Sequence, residues 1–181
     1  GSQFSKDEKI IPDLIVNKRS NQWDIIVNDN WIPSLQISKI YHKMIDDPDP
    51  QTTKTKKFLK HNYSSAKWFI QAIEQRRETL VNVMNEIINR QSEFFKGNIE
   101  ELRPMKLKDI AESIDMDIST ISRATRGKYV ETPYGIYELK HYFTDSITLN
   151  DGKEISTYQV KLALRQLIKD EDKHNPFSDE E

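Results

Sequence analysis

A chain of 181 residues holds one or two small domains, and its 27 basic and 29 acidic side chains leave a net charge of −2, so it is not globally basic. Hydrophobic residues make up 36% and charged residues 31%, with 5 glycines: a polar, helix-rich composition with thinner cores than a compact enzyme of this length would carry. Without cysteine there is no disulfide framework and no thiolate metal site, no apolar run approaches the ~18 residues of a membrane span, and no signal-peptide layout opens the chain. These features fit a soluble protein of a reducing cytosol. Gly1-Ser2 reads as a tag scar and carries no weight in the fold.

In "IIPDLIVNKRSNQWDIIVN", from Ile10 to Asn28, two β-prone runs, Leu14–Val16 and Trp23–Val27, flank a polar turn over Lys18 to Gln22 and predict a hairpin. Leu35, Ile37, Ile40, Tyr41 and Met44 suggest a short helix or a strand–helix join. Asp47 to Lys57 has two prolines and no apolar residue, and reads as a linker. Ser64 and Ser65 can cap a helix from Ala66 to about Lys96, with Gly97 placed for a left-handed C-terminal cap. Such a helix would span roughly 46 Å at ~1.5 Å per residue. Ile73, Leu80, Ile87 and Phe94 recur every seven residues, Phe69 and Met84 widen the stripe, and Arg76, Arg77 and Gln91 interrupt its flank. The helix either packs on its own domain or stands partly free as a spacer that docks on a partner.

The next unit is "KDIAESIDMDISTISRATRGKYV", Lys108 to Val130. Leu107, Ile110, Ala111 and Ile114 fall on one helical face; Asp115-Met116 turns the chain and Asp117 can cap a second helix. With Ile118 and Ile121 inward, Ser119, Thr120, Arg123 and Arg126 point out. That is a helix-turn-helix pattern, in which short hydroxyls meet phosphates and an arginine one turn later reaches a guanine edge. An ordinary helix pair with a solvated polar face has the same spacing. The expected DNA-contact set is Ser119, Thr120, Ser122, Arg123, Arg126 and Lys128. From Arg103 to Lys128 there are 6 basic and 4 acidic side chains, so the electrostatic grip should be weak. Thr132-Pro133-Tyr134-Gly135 suits a type I turn between β-prone flanks, either a short wing or an extension covering the core. Ser156 and Gln159 form a capping-box pair opening a last helix with Val160, Leu164, Leu167 and Ile168 on one face. The tail from Lys169 is acidic. The expected fold is mainly α: a small N-terminal β-hairpin, a long spanning helix, the helix-turn-helix and a C-terminal helix. Its divisions are 1–60, 62–97, 101–150 and 151–181.

"LKDIAESIDMDISTISRATRGKYVETPYGIYELKHYF" resembles the sigma-54 family of bacterial RNA polymerase initiation factors, whose helix-turn-helix runs into a Lys-Tyr-x-x-Thr-Pro-x-Gly stretch. "AKWFIQAIEQRRETLVNVMNEIINRQSEFFKGNIEELRPM", "IIPDLIV" and "ISTYQVKLALRQLIKDED...PFSD" are similar to that family in the same order, across nearly the whole chain. Asp115 replaces the family's usual glycine, Asp117-Ile118 a common His-Glu, and Tyr134 an arginine that would offer a phosphate contact.

The resemblance implies a central fragment: residues 1–60 end a core-binding region, and residues 151–181 lead toward a minus-24 reader. It implies promoter DNA near the minus-12 element and RNA polymerase core as partners, with an ATP-dependent activator acting indirectly. The closed complex would be held until that activator remodels it, and tethering to polymerase would compensate for a weakly basic reader. No cofactor, enzymatic activity or membrane partner is implied, and the location is the bacterial cytoplasm, at the nucleoid. A protein-interaction scaffold is the competing reading, and a stand-alone winged-helix repressor a weaker one. His42, His61, His141 and His174 lack neighbours at metal-ligand spacing and read as surface or core residues.

Overall fold

The computed structural model describes residues 10–20, 22–29, 37–39, 53–149 and 152–170. The chain is mainly α with an N-terminal strand hairpin. β1 (Leu14–Arg19) and β2 (Gln22–Val27) pair antiparallel, turning through Ser20 at φ 55°. The strands run further into the expected turn than their apolar cores suggest, because Lys18 still pairs with Trp23 and Arg19 with Gln22. The join expected around Leu35, Ile40, Tyr41 and Met44 lies outside the described residues, as do His42, His174 and most of the acidic tail.

The long helix is longer, and set earlier, than its sequence signals indicate. α1 runs from Thr53 to Arg90, 38 residues or roughly 57 Å at ~1.5 Å each. Thr53–Lys57, expected in the linker, are therefore helical, and Ser64 and Ser65 are exposed mid-helix residues rather than caps. Neither glycine nor proline interrupts this stretch, and lysines lose little side-chain freedom in a helix. At the other end the expected continuity to Lys96 fails. Gln91, at φ −96° and ψ 38°, breaks the helix before the short α2 (Ser92–Phe95).

The reason for the break is a tertiary one. The Gln91 side chain is fully buried; its amide donates to the Arg103 carbonyl at 2.9 Å and the Tyr142 carbonyl at 3.0 Å, while its oxygen accepts from the Arg103 N–H at 2.9 Å. Beyond α2, Gly97 adopts φ 113°, and the Gly97 and Asn98 N–H groups close on the Phe94 and Glu93 carbonyls. That is the double-bonded left-handed cap expected of this glycine.

The apolar stripe divides α1 in two. Leu80, Val83, Met84, Ile87 and Ile88 are buried, whereas Phe58, Trp68 and Phe69 are 65%, 70% and 55% exposed. The C-terminal half is thus core, as the first expectation has it, and the N-terminal half stands bare.

α3 (Leu107–Ser113) and α4 (Ile118–Thr125) follow, then β3 (Tyr129–Thr132) and β4 (Gly135–Glu138), a 3-10 turn over Leu139–Tyr142, β5 (Ser146–Thr148), β6 (Glu154–Ser156) and α5 (Thr157–Asp170). The chain turns between β3 and β4 at Pro133-Tyr134, where expected. Ser156 and Gln159 form their reciprocal cap: the Gln159 N–H donates to the Ser156 hydroxyl at 3.2 Å, and the Ser156 N–H to the Gln159 side-chain oxygen at 3.4 Å. Leu164, Leu167 and Ile168 on α5 remain exposed.

A four-stranded sheet joins the N-terminal hairpin to the strands that follow the helix pair. Its order is β2-β1-β3-β4, with β1 parallel to β3 through Leu14 opposite Val130 and Ile15 opposite Glu131. Leu14 and Val16 from the hairpin share a single core with the C-terminal half of α1, with Ile110 and Ile121 from the helix pair, and with Val130, Leu139 and Tyr142. The hairpin and the helix pair, expected in separate divisions, pack as one body.

Phe94 is the hub of that core. Its ring meets Phe95 and Tyr142 edge-on at 5.2 Å, Tyr137 at 5.2 Å and Tyr134 at 6.2 Å. The ring of Tyr134 packs on Phe94 and its hydroxyl donates to the Phe95 carbonyl at 3.3 Å. The Tyr134 side chain is thus engaged in packing against α2.

At the edge of this cluster His141 stacks on Tyr137 at 5.1 Å and meets Tyr158 of α5 edge-on at 5.1 Å, with no partner for its Nε2 among the described residues. Burial lowers the pKa of His141 below its ordinary 6.5. As pH falls through about 6.5 the unfolded chain therefore takes up a proton that the folded chain resists, so stability drops with pH until the folded-state value is reached. Urea denaturation between pH 7.5 and 5 should show this slope, and His141→Gln should flatten it. Equal slopes in the two proteins would mean that other groups carry the pH dependence.

Candidate nucleic-acid interface

α3 lays Ile110 and Ala111 into the core, with Leu107 and Ile114 packed beside them. Its first turn is closed by the Asp109 carboxylate, which accepts from the Lys106 N–H at 2.6 Å. Its far end is bound to α1 through Glu86, which accepts from the Ser113 hydroxyl at 2.7 Å and from Arg90 at 2.7 Å. Burial opposes the charge on Glu86, but these hydrogen bonds and the Arg90 charge outweigh it and lower its pKa.

The bend between α3 and α4 depends on Asp115, which sits at φ 53° in the left-handed region. An aspartate tolerates this better than most side chains, though less well than glycine. Asp117 occupies the N-cap position of α4 in extended conformation, but its side chain makes no capping bond. The Asp117 carbonyl instead accepts from the Thr120 N–H at 2.9 Å.

α4 is held by Ile121, fully buried, and by Thr125, whose hydroxyl turns back to the Ile121 carbonyl at 2.9 Å. Ile118, expected inward, is 47% exposed. As the first residue of α4 it overhangs the open cleft between α1 and the helix pair, so helical spacing from Ile121 is not enough to bury it. Of the expected contact set, Ser119, Arg123 and Arg126 are exposed, while Thr120 and Ser122 are half-buried. Glu112, Asp115 and Asp117 line the same cleft as Ser119 and Thr120, with Lys108 beside them, which weakens but does not abolish the pull on phosphate at this end of α4.

Lys128, expected as a phosphate contact, is also paired within the chain. Its ammonium lies 2.7 Å from the Asp13 carboxylate on the hairpin, with both side chains mostly covered. Neither Asp13 nor Gln91 carries a local signal of its role, because both act on partners far away in the chain.

Among the described residues no group of three His, Cys, Asp or Glu side chains could hold a metal ion, and no helix is long and apolar enough to cross a membrane. His61 is exposed on α1 and His141 belongs to the aromatic cluster.

Fold and surface together define a helical body with a two-helix corner whose outer side carries exposed hydroxyl and guanidinium groups. Residues 56–181 match the family described as Sigma-54, DNA binding domain, and residues 1–41 match Sigma-54 factor, core binding domain. The chain belongs to the sigma-54 family. It is 37% identical over 174 residues to the RNA polymerase sigma-54 factor of Shewanella violacea, covering 96% of this chain and 35% of the relative. To the factor of the same name from Escherichia coli K12 it is 36% identical over 181 residues, covering 98% of this chain and 37% of the relative. It thus spans little more than a third of these relatives. Its fold is similar to that of Aquifex aeolicus sigmaN bound to promoter DNA, at a TM-score of 0.60 and 24% identity, covering 99% of this chain and 51% of that one.

Proposed function

We propose that this chain is the part of a bacterial sigma-54 initiation factor that joins RNA polymerase core to promoter DNA at the minus-12 element. α3 and α4 are its helix-turn-helix, β3–β4 a short wing that also covers the core, and α5 a linker toward a minus-24 reader. The observation that carries this reading is the exposed Arg123 on a helix anchored by Ile121 and Thr125, within a chain whose two family matches are to DNA-binding and core-binding domains. Arg123 reads a guanine edge; Ser119, Thr120, Ser122 and Arg126 meet phosphate, and Lys128 supports them from its pair with Asp13. The role is non-catalytic: the factor holds the closed complex in the bacterial cytoplasm, and ATP is used by the activator that remodels it.

Arg123→Ala, in the full-length factor bound to polymerase, should cost about 1–3 kcal/mol on a cognate promoter and little on scrambled DNA. Competition binding with the two duplexes measures the difference. Unchanged promoter selection would remove α4 as the sequence reader.

A further inference from the structure

We propose that Asp13, in the segment matched to the core-binding domain, is a positioning residue that sets the angle of the recognition helix. The inference rests on α4 being the DNA reader. Asp13 grips the chain just past the end of α4. Its carboxylate takes the Lys128 ammonium at 2.7 Å and the Tyr129 N–H at 2.9 Å, and its own N–H donates to the Tyr129 carbonyl at 2.8 Å. The Asp13 carbonyl also accepts from the Asn28 N–H at 2.8 Å, so the same residue holds the end of β2.

The need for such a grip is visible in what surrounds it. α4 ends at Thr125, and between it and Lys128 lies Gly127 at φ 62°, a residue with unusual conformational freedom. The parallel pairing of β1 with β3 has only two residue pairs, a short ladder on which to fix a helix. Asp13 stands immediately before that ladder and adds to it two hydrogen bonds with Tyr129 and a charge pair with Lys128. Whatever shifts the hairpin must therefore shift or strain the exit of α4, and a partner seated on the hairpin is coupled to DNA on the recognition helix.

Pairing also occupies Lys128. Removing Asp13 frees an ammonium beside the DNA-facing surface, so loss of sequence discrimination should accompany a gain in salt-dependent, sequence-independent attraction. A merely structural tie would leave sequence discrimination unchanged.

The test uses full-length factor bound to polymerase core, with a cognate duplex and one in which only the minus-12 element is scrambled. Asp13→Ala should reduce the ratio of the two affinities by about fivefold or more. It should also steepen the log–log salt dependence on scrambled DNA by about 0.9. Asp13→Asn, which can still accept from Tyr129, should give the steeper salt dependence with a smaller loss of discrimination, and serves if the alanine variant does not fold. Asp29→Asn is the control: it weakens the surface pair with Arg77 while the hairpin stays held by Leu14 and Val16 in the core and by Asp13 at β3. Its discrimination should stay as in the unmodified factor. If the Asp13 variants lose thermal stability alone, with ratio and slope unchanged while Arg123→Ala lowers the ratio, this inference fails and the proposed function stands. If Arg123→Ala also leaves the ratio unchanged, both fall.

Discussion

Gln91→Leu is expected to destabilise the fold by about 3–5 kcal/mol, since a lost partner leaves each buried backbone group short by about 1–3 kcal/mol. Leucine nearly fills the volume, so the packing term is small and the polar term decides. Three bonds disappear: two donated by the side-chain amide to the Arg103 and Tyr142 carbonyls, and one accepted from the Arg103 N–H. The Gln91–Tyr142 bond is wholly buried, and water has no route to replace it; the Arg103 bonds are partly buried, which keeps the total below three full penalties. The loss is large against the ~5–15 kcal/mol of a typical domain. Urea denaturation of this chain measures it directly, and a change under about 1 kcal/mol would show that the Arg103 segment simply resolvates. The same substitution removes the reason for the helix to stop at Arg90, so α1 and α2 should fuse and the Arg103 segment should gain amide exchange.

Phe94→Ala should cost about 3–5 kcal/mol, the range for deleting a fully buried aromatic ring. The site cannot collapse easily, because the ring is surrounded by the rigid rings of Phe95, Tyr134, Tyr137 and Tyr142, none of which can follow it inward. Those neighbours come from α2, the β3–β4 hairpin and the 3-10 turn, so a void at Phe94 loosens all three from α1 at once. Calorimetry should record a lower midpoint with one transition, as expected for a single shared core. Two separated transitions would show instead that the hairpin body and the helix pair melt independently. Phe94→Leu, which keeps much of the apolar volume, should recover part of the loss.

Much of the local structure is legible in the residues themselves. Alternating and β-branched runs mark β1 and β2; the spacing of Leu107, Ile110, Ala111 and Ile114 marks α3; Ser156 with Gln159 marks the start of α5. Gly97 is legible too, since a glycine after an apolar helical run has one common use. In each case the determining interaction lies within a few residues, so its chemistry is written in adjacent letters.

The sequence by itself therefore determined β1, β2, the helix pair and α5, their order and the outward side of α4, along with the family to which the chain is similar, but not α2, β5 or β6. Only the tertiary structure decided where α1 begins and breaks, which half of it is buried, that Ile118 overhangs a cleft, and that Lys128 is held by Asp13. The physical reason is common to all of them. A glutamine that holds two distant carbonyls has the same local context as one in water, and a lysine paired across 115 positions of chain looks free until the sheet that pairs it has formed.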